Sequence, residues 1–211
     1  MAERADHPWM QTRSGKAFPL IGFTALDIDL FGDIAEALAR ICRFGGHVQG
    51  NPYSVAQHCV VGADCALEET GDATLAAYVL LHDAHEPVVG DMVRPLFEAL
   101  RAMEFDMFGS RTVIASVIGT LKFKLDVCIW KAAGLPLPNA EHKRKIADYD
   151  LRLLATEQRH LLAKPPKSWG AAIDAAAPLR LRGRLAAWPV AKAAEQYRAR
   201  LETLCPNARR V

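Results

Sequence analysis

No CxxC pair occurs in the chain, and its five cysteines (Cys42, Cys59, Cys65, Cys128, Cys205) are scattered and odd in number. That disfavours both a disulfide framework and a cysteine-built structural zinc site. Reduced, mostly buried thiols in a cytoplasmic protein are expected instead. No apolar run approaches the roughly 20 residues that a bilayer-crossing helix needs. Met1-Ala2-Glu3-Arg4-Ala5-Asp6 leads into no apolar segment of the secretory type, so neither an export signal nor a membrane partner is expected. A dominant charge is missing too. Lys and Arg number 26 against 24 Asp and Glu, a formal +2, which makes no electrostatic case for nucleic acid. There is no internal repeat or low-complexity tract, and strand-like alternation is nearly absent.

What is present is helical period. The chain has 211 residues, 51% of them hydrophobic, enough for one domain with a sizeable core. The first 25 residues are irregular, punctuated by Gly15, Pro19 and Gly22, with room for a small hairpin. From Asp29, Leu30, Ile34, Leu38 and Ile41 recur at helical spacing until Gly45-Gly46. Ser54-Val55-Ala56-Gln57 fits a capping box opening a second helix, in which Ser and Gln each satisfy a free backbone donor. Asp72 caps a third, Ala73 to about His85, apolar nearly all round and therefore central. Pro87 to Pro95 reads as loop or short turns, and 99–108 and 111–133 as helices. Gly134-Leu135-Pro136-Leu137-Pro138 is a stop. Asn139 caps a long helix to about Leu162. A loop-like stretch follows Pro165-Pro166, and 189–204 is a last amphipathic helix. The fold class is all-α.

The informative residues are polar ones standing where the pattern calls for carbon. His58 lies on the apolar stripe of the second helix, between Val55 and Gly62. His82, Asp83 and Glu86 continue the face of Leu75 and Val79 on the third. On the long helix, Asp150 shares the inner stripe with Ile146, Tyr149, Leu153, Leu154 and Glu157. Asp148 instead keeps company with Arg144, Lys145 and Arg152 on the solvent side. A His-Asp dipeptide alone carries little weight, and a lone histidine on an apolar stripe is usually a satisfied core residue. Several ionised carboxylates buried with two imidazoles are different, because they call for a compensating cation. Two His and two carboxylates with open positions suit one divalent ion: Mn, Co, Ni, Fe, Mg or Zn.

With these residues in place, the chain resembles the HD phosphohydrolase superfamily. Its pattern reads here as His58, then His82-Asp83, then Asp150. The closer similarity is to small nucleotide-cleaving members, the bacterial 5′-deoxynucleotidases and phage-type nucleotide hydrolases. The matching stretches are Cys42-Arg43-Phe44-Gly45-Gly46-His47, Tyr53 to His58, Leu81 to Glu86, Gly90-Asp91, and Asp150 to Glu157. The resemblance implies an HD-domain helical bundle over residues 1–211, with a core of 30–162 and a C-terminal helical extension of 163–211. It implies metal ligands His58, His82, Asp83 and Asp150, a phosphate-contacting Arg43, and acidic residues Glu86 and Asp91 beside the reacting water. The deoxynucleotidases carry a tryptophan after that arginine. Phe44 stands there in this chain, which leaves the sugar preference open. His47 and His85 are further imidazoles near the motifs.

The function this implies is metal-dependent hydrolysis of a nucleotide phosphate ester, foremost a (deoxy)nucleoside 5′-monophosphate. One rival is a (d)NTP triphosphohydrolase using Lys143, Arg144 and Lys145 for the longer phosphate chain. Another is a non-catalytic nucleotide sensor. The apolar stripe Val113, Ile114, Val117, Ile118, Leu121, Leu125 and Ile129 suits either core packing or a homodimer interface.

Overall fold

The N-terminal irregular stretch folds as the small hairpin. A computed structural model describes residues 7–210, so the reading of Met1–Asp6 lies outside the described residues. Strands β1 (Trp9–Gln11) and β2 (Ala17–Pro19) pair antiparallel with Met10 opposite Phe18. Buried Phe18 pins the hairpin to the main core.

The helix expected from Asp29 to Ile41 is broken. The Asp29 carboxylate accepts from the Gly32 amide, and the chain starts with a π turn, Leu30–Ile34, before one turn of α1 (Ala35–Leu38). A Cβ on Gly32 would stand 2.5 Å from the Asp29 carboxylate, so a side chain there would push this cap aside. A 3-10 turn, Arg43–Gly46, follows, in which Phe44 adopts the left-handed conformation (φ 58°). Among the described residues Phe44 is the one non-glycine there. Such outliers persist only where the surroundings hold them, and they concentrate at functional sites.

Helix α2 (Val55–Thr70) begins at Ser54 as read, its hydroxyl accepting from the Gln57 amide. The other half of the capping box does not form. Gln57 reaches across the molecule, donating to the Ala186 carbonyl at 2.8 Å and accepting from the Trp188 amide at 2.8 Å. Helix α3 (Ala73–Leu81), capped by Asp72, is buried along Leu75 to Leu81 and is the central element. It stops four residues short of the expected His85. The His82 imidazole takes the Val79 carbonyl at 2.7 Å, residues 82–85 turn, and the chain restarts as a single turn, α4 (Glu86–Val89), with Pro87 in its first turn.

Helix α5 (Arg94–Phe108) starts five residues before the expected 99, with Pro95 in its first turn, where a missing N–H costs nothing. It pairs with α6 (Val113–Ala132). The Glu104 carboxylate on α5 accepts from the Val113 and Ile114 amides, capping its partner helix. The apolar stripe of α6 divides. Leu125 and Ile129 enter the core, while Val113 and Val117 stay exposed. Helix α7 (Ala140–Leu161) is capped by Asn139 as read. A short helix, α8 (Ala171–Ala175), interrupts the stretch expected to be loop-like. Helix α9 (Val190–Leu204) buries Ala193, Ala194, Tyr197 and Leu201 in the same core as α2 and α3. The C-terminal segment is thus an integral layer of the bundle. Cys59, Cys65 and Cys205 are buried, Cys42 and Cys128 half-buried, and all five are free thiols. No helix of the described residues is long and apolar enough to cross a membrane.

Candidate metal centre

Three helices converge where Gly62 removes a side chain. A Cβ on Gly62 would meet Val79 at 3.1 Å and Leu153 at 3.3 Å, so this glycine lets α2, α3 and α7 approach. One turn before Gly62, His58 projects from α2 and is fully buried. His82 and Asp83 stand just past the end of α3, and Asp150 comes from α7.

The four side chains meet. His58 Nε2 lies 3.2 Å from His82 Nε2, 3.4 Å from an Asp150 oxygen and 3.6 Å from an Asp83 oxygen. His82 Nε2 lies 3.2 Å from Asp83 and 3.7 Å from Asp150. Donors bound to one ion at about 2.1 Å stand roughly 3.0–3.4 Å apart at right-angled or tetrahedral positions, so these spacings approximate a coordination shell. Asp148 is exposed and lies 3.6 Å from Arg152, so the inner-stripe assignment of Asp150 agrees with the geometry.

The tautomers fit a cation. His58 Nδ1 is 2.7 Å from a Glu157 carboxylate oxygen, and His82 Nδ1 is 2.7 Å from the Val79 carbonyl. Both acceptors lack a proton, so each ring donates from Nδ1 and turns Nε2 into the cluster. Two ring nitrogens facing each other at 3.2 Å need a proton or a cation beside them. Metal-bound histidines characteristically donate their other nitrogen to a carboxylate or a backbone carbonyl. Without an ion the groups turn to protons. For His82, burial opposes the charged form, but Asp83 and Asp150 outweigh it and hold its pKa well above the ordinary value. For His58, burial and the Arg43 charge oppose protonation, and Glu157 and Asp150 overcome them. Burial works against ionised Asp83 and Asp150 as well, yet the imidazoles hold both carboxyls below their usual range.

Arg43 is buried against this cluster. Its Nε donates to Glu157 at 3.1 Å, and Nη1 lies 3.5 Å from Asp83. Burial disfavours its charge, but the carboxylates of Glu157, Asp83 and Asp150 hold it firmly protonated. Glu86 is buried with Oε2 lacking any partner. Its carboxyl is pushed up to about 9, first by burial and then by the Asp83 and Asp91 charges. Asp91 is also raised, by burial and Asp83, against the pull of Arg43. The structure therefore brings Arg43 against the four candidate ligands, with Glu86 and Asp91 close enough to feel the Asp83 charge. It takes His85 elsewhere, onto Asp126 at 2.8 Å, and leaves His47 exposed.

Two residues enter that the sequence reading gave no role. Glu157 is fully buried and joins His58 to Arg43. Its signal was visible as a carboxylate on the inner stripe two turns after Asp150. Cys59, read in the sequence only as one of the buried thiols, has its sulfur within 4.8 Å of donor atoms of His82 and Asp83. Burial pushes that thiol up to about 11, and only a thiolate is a strong ligand.

No family model matches the chain. The uncharacterized Escherichia coli K12 protein YfdR is 34% identical over 153 residues, 72% of this chain and 72% of that protein. An uncharacterized Rhodobacter capsulatus protein, RCAP_rcc00048, is 36% identical over 96 residues, 44% of this chain and 48% of that protein. The match to YfdR holds over most of both lengths, and this chain belongs to the same protein family as YfdR.

Proposed function

We propose that the protein is a divalent-metal-dependent phosphohydrolase of the HD superfamily that cleaves the phosphate ester of a (deoxy)nucleoside 5′-monophosphate. The observation that carries this reading is the pair of imidazole Nε2 atoms, 3.2 Å apart, flanked by Asp83 and Asp150. A divalent ion held by His58, His82, Asp83 and Asp150 supplies Lewis acidity toward a phosphoryl oxygen and makes water a nucleophile near neutral pH.

The chain's own residues do the rest. Glu157 and the Val79 carbonyl fix the two imidazoles in the ligating tautomer. Arg43, with Nε tied to Glu157, offers its remaining guanidinium edge to the phosphate and orients it for in-line attack. Glu86, whose burial raises its carboxyl pKa, suits the donation of a proton to the leaving alcohol oxygen. A single buried arginine matches one phosphate group. Lys143 and Arg144 are exposed and Lys145 pairs with Glu141 at 2.9 Å, so the cations that a triphosphate reading would recruit lie on the solvent side of α7.

The test is metal-depleted protein supplied separately with Mn, Co, Ni, Fe, Mg and Zn, and assayed on ribo- and deoxynucleoside mono- and triphosphates. Orthophosphate from a monophosphate is expected. Tripolyphosphate from a triphosphate would overturn the substrate assignment, and tight nucleotide binding without product under every metal would overturn the enzymatic one. His82→Ala and Asp150→Asn should both lose bound metal by elemental analysis, whereas Asp148→Asn should keep it.

A further inference from the structure

The α5–α6 hairpin carries an outer face that no other described segment covers. Thr112 to Leu121, the N-cap and first half of α6, is a run of ten residues without a charge. A helix apolar on all sides belongs in an interior. None of these ten is buried, and Val113, Ser116, Val117, Gly119 and Thr120 are exposed. Phe123, 54% exposed, continues the same side by helical spacing. Helix α5 adds a row of its own. Leu96, Met103 and Met107 fall on one stripe and are 50%, 58% and 68% exposed. The residue that α5 buries is Glu104, the cap of α6, rather than any of its hydrophobic side chains.

Gly119 points the same way independently. Glycine inside a helix is destabilising relative to alanine, so its place there needs a reason. A Cβ at Gly62 would crowd Val79 and Leu153, whereas a Cβ at Gly119 would meet nothing within 4 Å among the described residues. No contact within the described chain calls for glycine at 119. With Ser116 one turn before it, Gly119 makes a shallow place on the exposed face, where a second helix can lie close.

Charge selects what lies there. Residues 94–121 hold Arg94, Arg101 and Arg111 against Glu98, Glu104 and Asp106, so the positive and negative charges balance. An anionic lipid surface or a nucleic acid calls for a cationic face, and a strongly charged protein partner calls for the opposite sign. A balanced face of mixed sign does not repel its own copy. Size agrees, since a stable interface takes about 20–30 residues from each partner, the scale of a two-helix hairpin. Two such hairpins related by a two-fold axis make a four-helix bundle, in which the same residues face each other across the axis. We propose that the protein is a homodimer joined through its α5–α6 hairpins, with each α6 crossing its mate at Ser116 and Gly119. This pairing uses the half of the α6 stripe that the core leaves free, and it does not depend on the phosphohydrolase reading.

Sedimentation equilibrium of the full chain at micromolar concentration is the test. Twice the 23.2 kDa of one chain is expected. Val117→Asp sets like charges across the interface, and Gly119→Leu fills the crossing point. Each should raise the dimer dissociation constant by about tenfold or more while the far-UV spectrum is kept, because neither position is buried in its own chain. Leu137→Asp, at a site 59% exposed but outside the hairpin, should leave the mass unchanged. A wild-type chain that sediments at 23.2 kDa would overturn the proposal. If that single chain also floated with phosphatidylglycerol vesicles, the face would belong to a lipid surface instead. A dimer indifferent to both Val117→Asp and Gly119→Leu, or one dissociated equally by Leu137→Asp, would overturn the placement of the interface.

Discussion

Glu157 has no place among the four ligands, yet it touches two of the residues that matter most. It accepts from His58 and from Arg43, and it is completely buried between them. Replacing it with Gln keeps the shape but loses the charge that selects the His58 tautomer. Groups in this position typically cost 10–100-fold in metal affinity when removed, so Glu157→Gln should weaken metal binding by about that factor in a competition titration with a chelator. Glu86→Gln should behave differently. Metal content should stay intact while kcat falls by about a hundredfold or more, the usual worth of a placed proton carrier. If KM alone moved, Glu86 would be binding substrate rather than moving a proton. The four residues that converge were readable in the sequence because each broke an apolar stripe. Glu157 broke one too. What the pattern lacked was the partner, since a buried carboxylate looks the same whether it binds an ion or holds an imidazole.

At the scale of elements, the helices that were legible are those with both a period and a cap. Ser54, Asp72 and Asn139 each start a helix at the residue where a side chain accepts a backbone amide. One misreading came where a tertiary partner outbid a local one, the others from local features of the chain. Gln57 leaves the capping box to hold residues 186 and 188. The helix after Asp29 yields to a π turn because the Asp29 cap sits over Gly32. α3 ends where the His82 imidazole takes the Val79 carbonyl, and the turn that follows lets His82 and Asp83 face the site while His85 pairs with Asp126. Gly62 sets how near the ligand-bearing helices come. Gly62→Val should overpack that crossing and destabilise by about 1–3 kcal/mol, read as a lowered urea midpoint. Metal affinity should drop with it, because the overpacked contacts are to α3 and α7, the helices next to the other three ligands.

For the whole molecule, two surface-proximal carboxylates tie distant parts together. Glu36 on α1 accepts from Arg198 on α9 at 2.7 Å, and Glu69 on α2 accepts a two-pronged contact from Arg152 on α7 at 2.9 and 2.8 Å. The Arg198 and Arg152 contacts, respectively, are the main reason that both carboxyls lie below the usual 4.5. A carboxyl with a lowered folded pKa stabilises the fold above its unfolded pKa and loses that contribution as pH falls through the folded value. Stability should therefore decline below about pH 4.5. In Glu69→Gln the decline should be shallower and the neutral-pH stability lower by less than about 1 kcal/mol, since the pair is partly exposed. Urea midpoints from pH 6 to 3 would show both. Metal should act in the opposite sense. At a hundredfold excess over its dissociation constant, an ion that binds only the folded chain adds about 2.7 kcal/mol, so a chelator should lower the melting temperature.

The reach of Gln57 has a consequence for synthesis. It ties the residue before His58 to the strand of chain at 186–188, and α9, beginning at Val190, covers α2 and α3 from behind. Val190 follows Asp150 by 40 positions. At about 5–20 residues per second, a ribosome leaves an interval of several seconds in which all four candidate ligands have been polymerised and the helices carrying them lack their backing. The cluster therefore takes its packed geometry only once α9 docks.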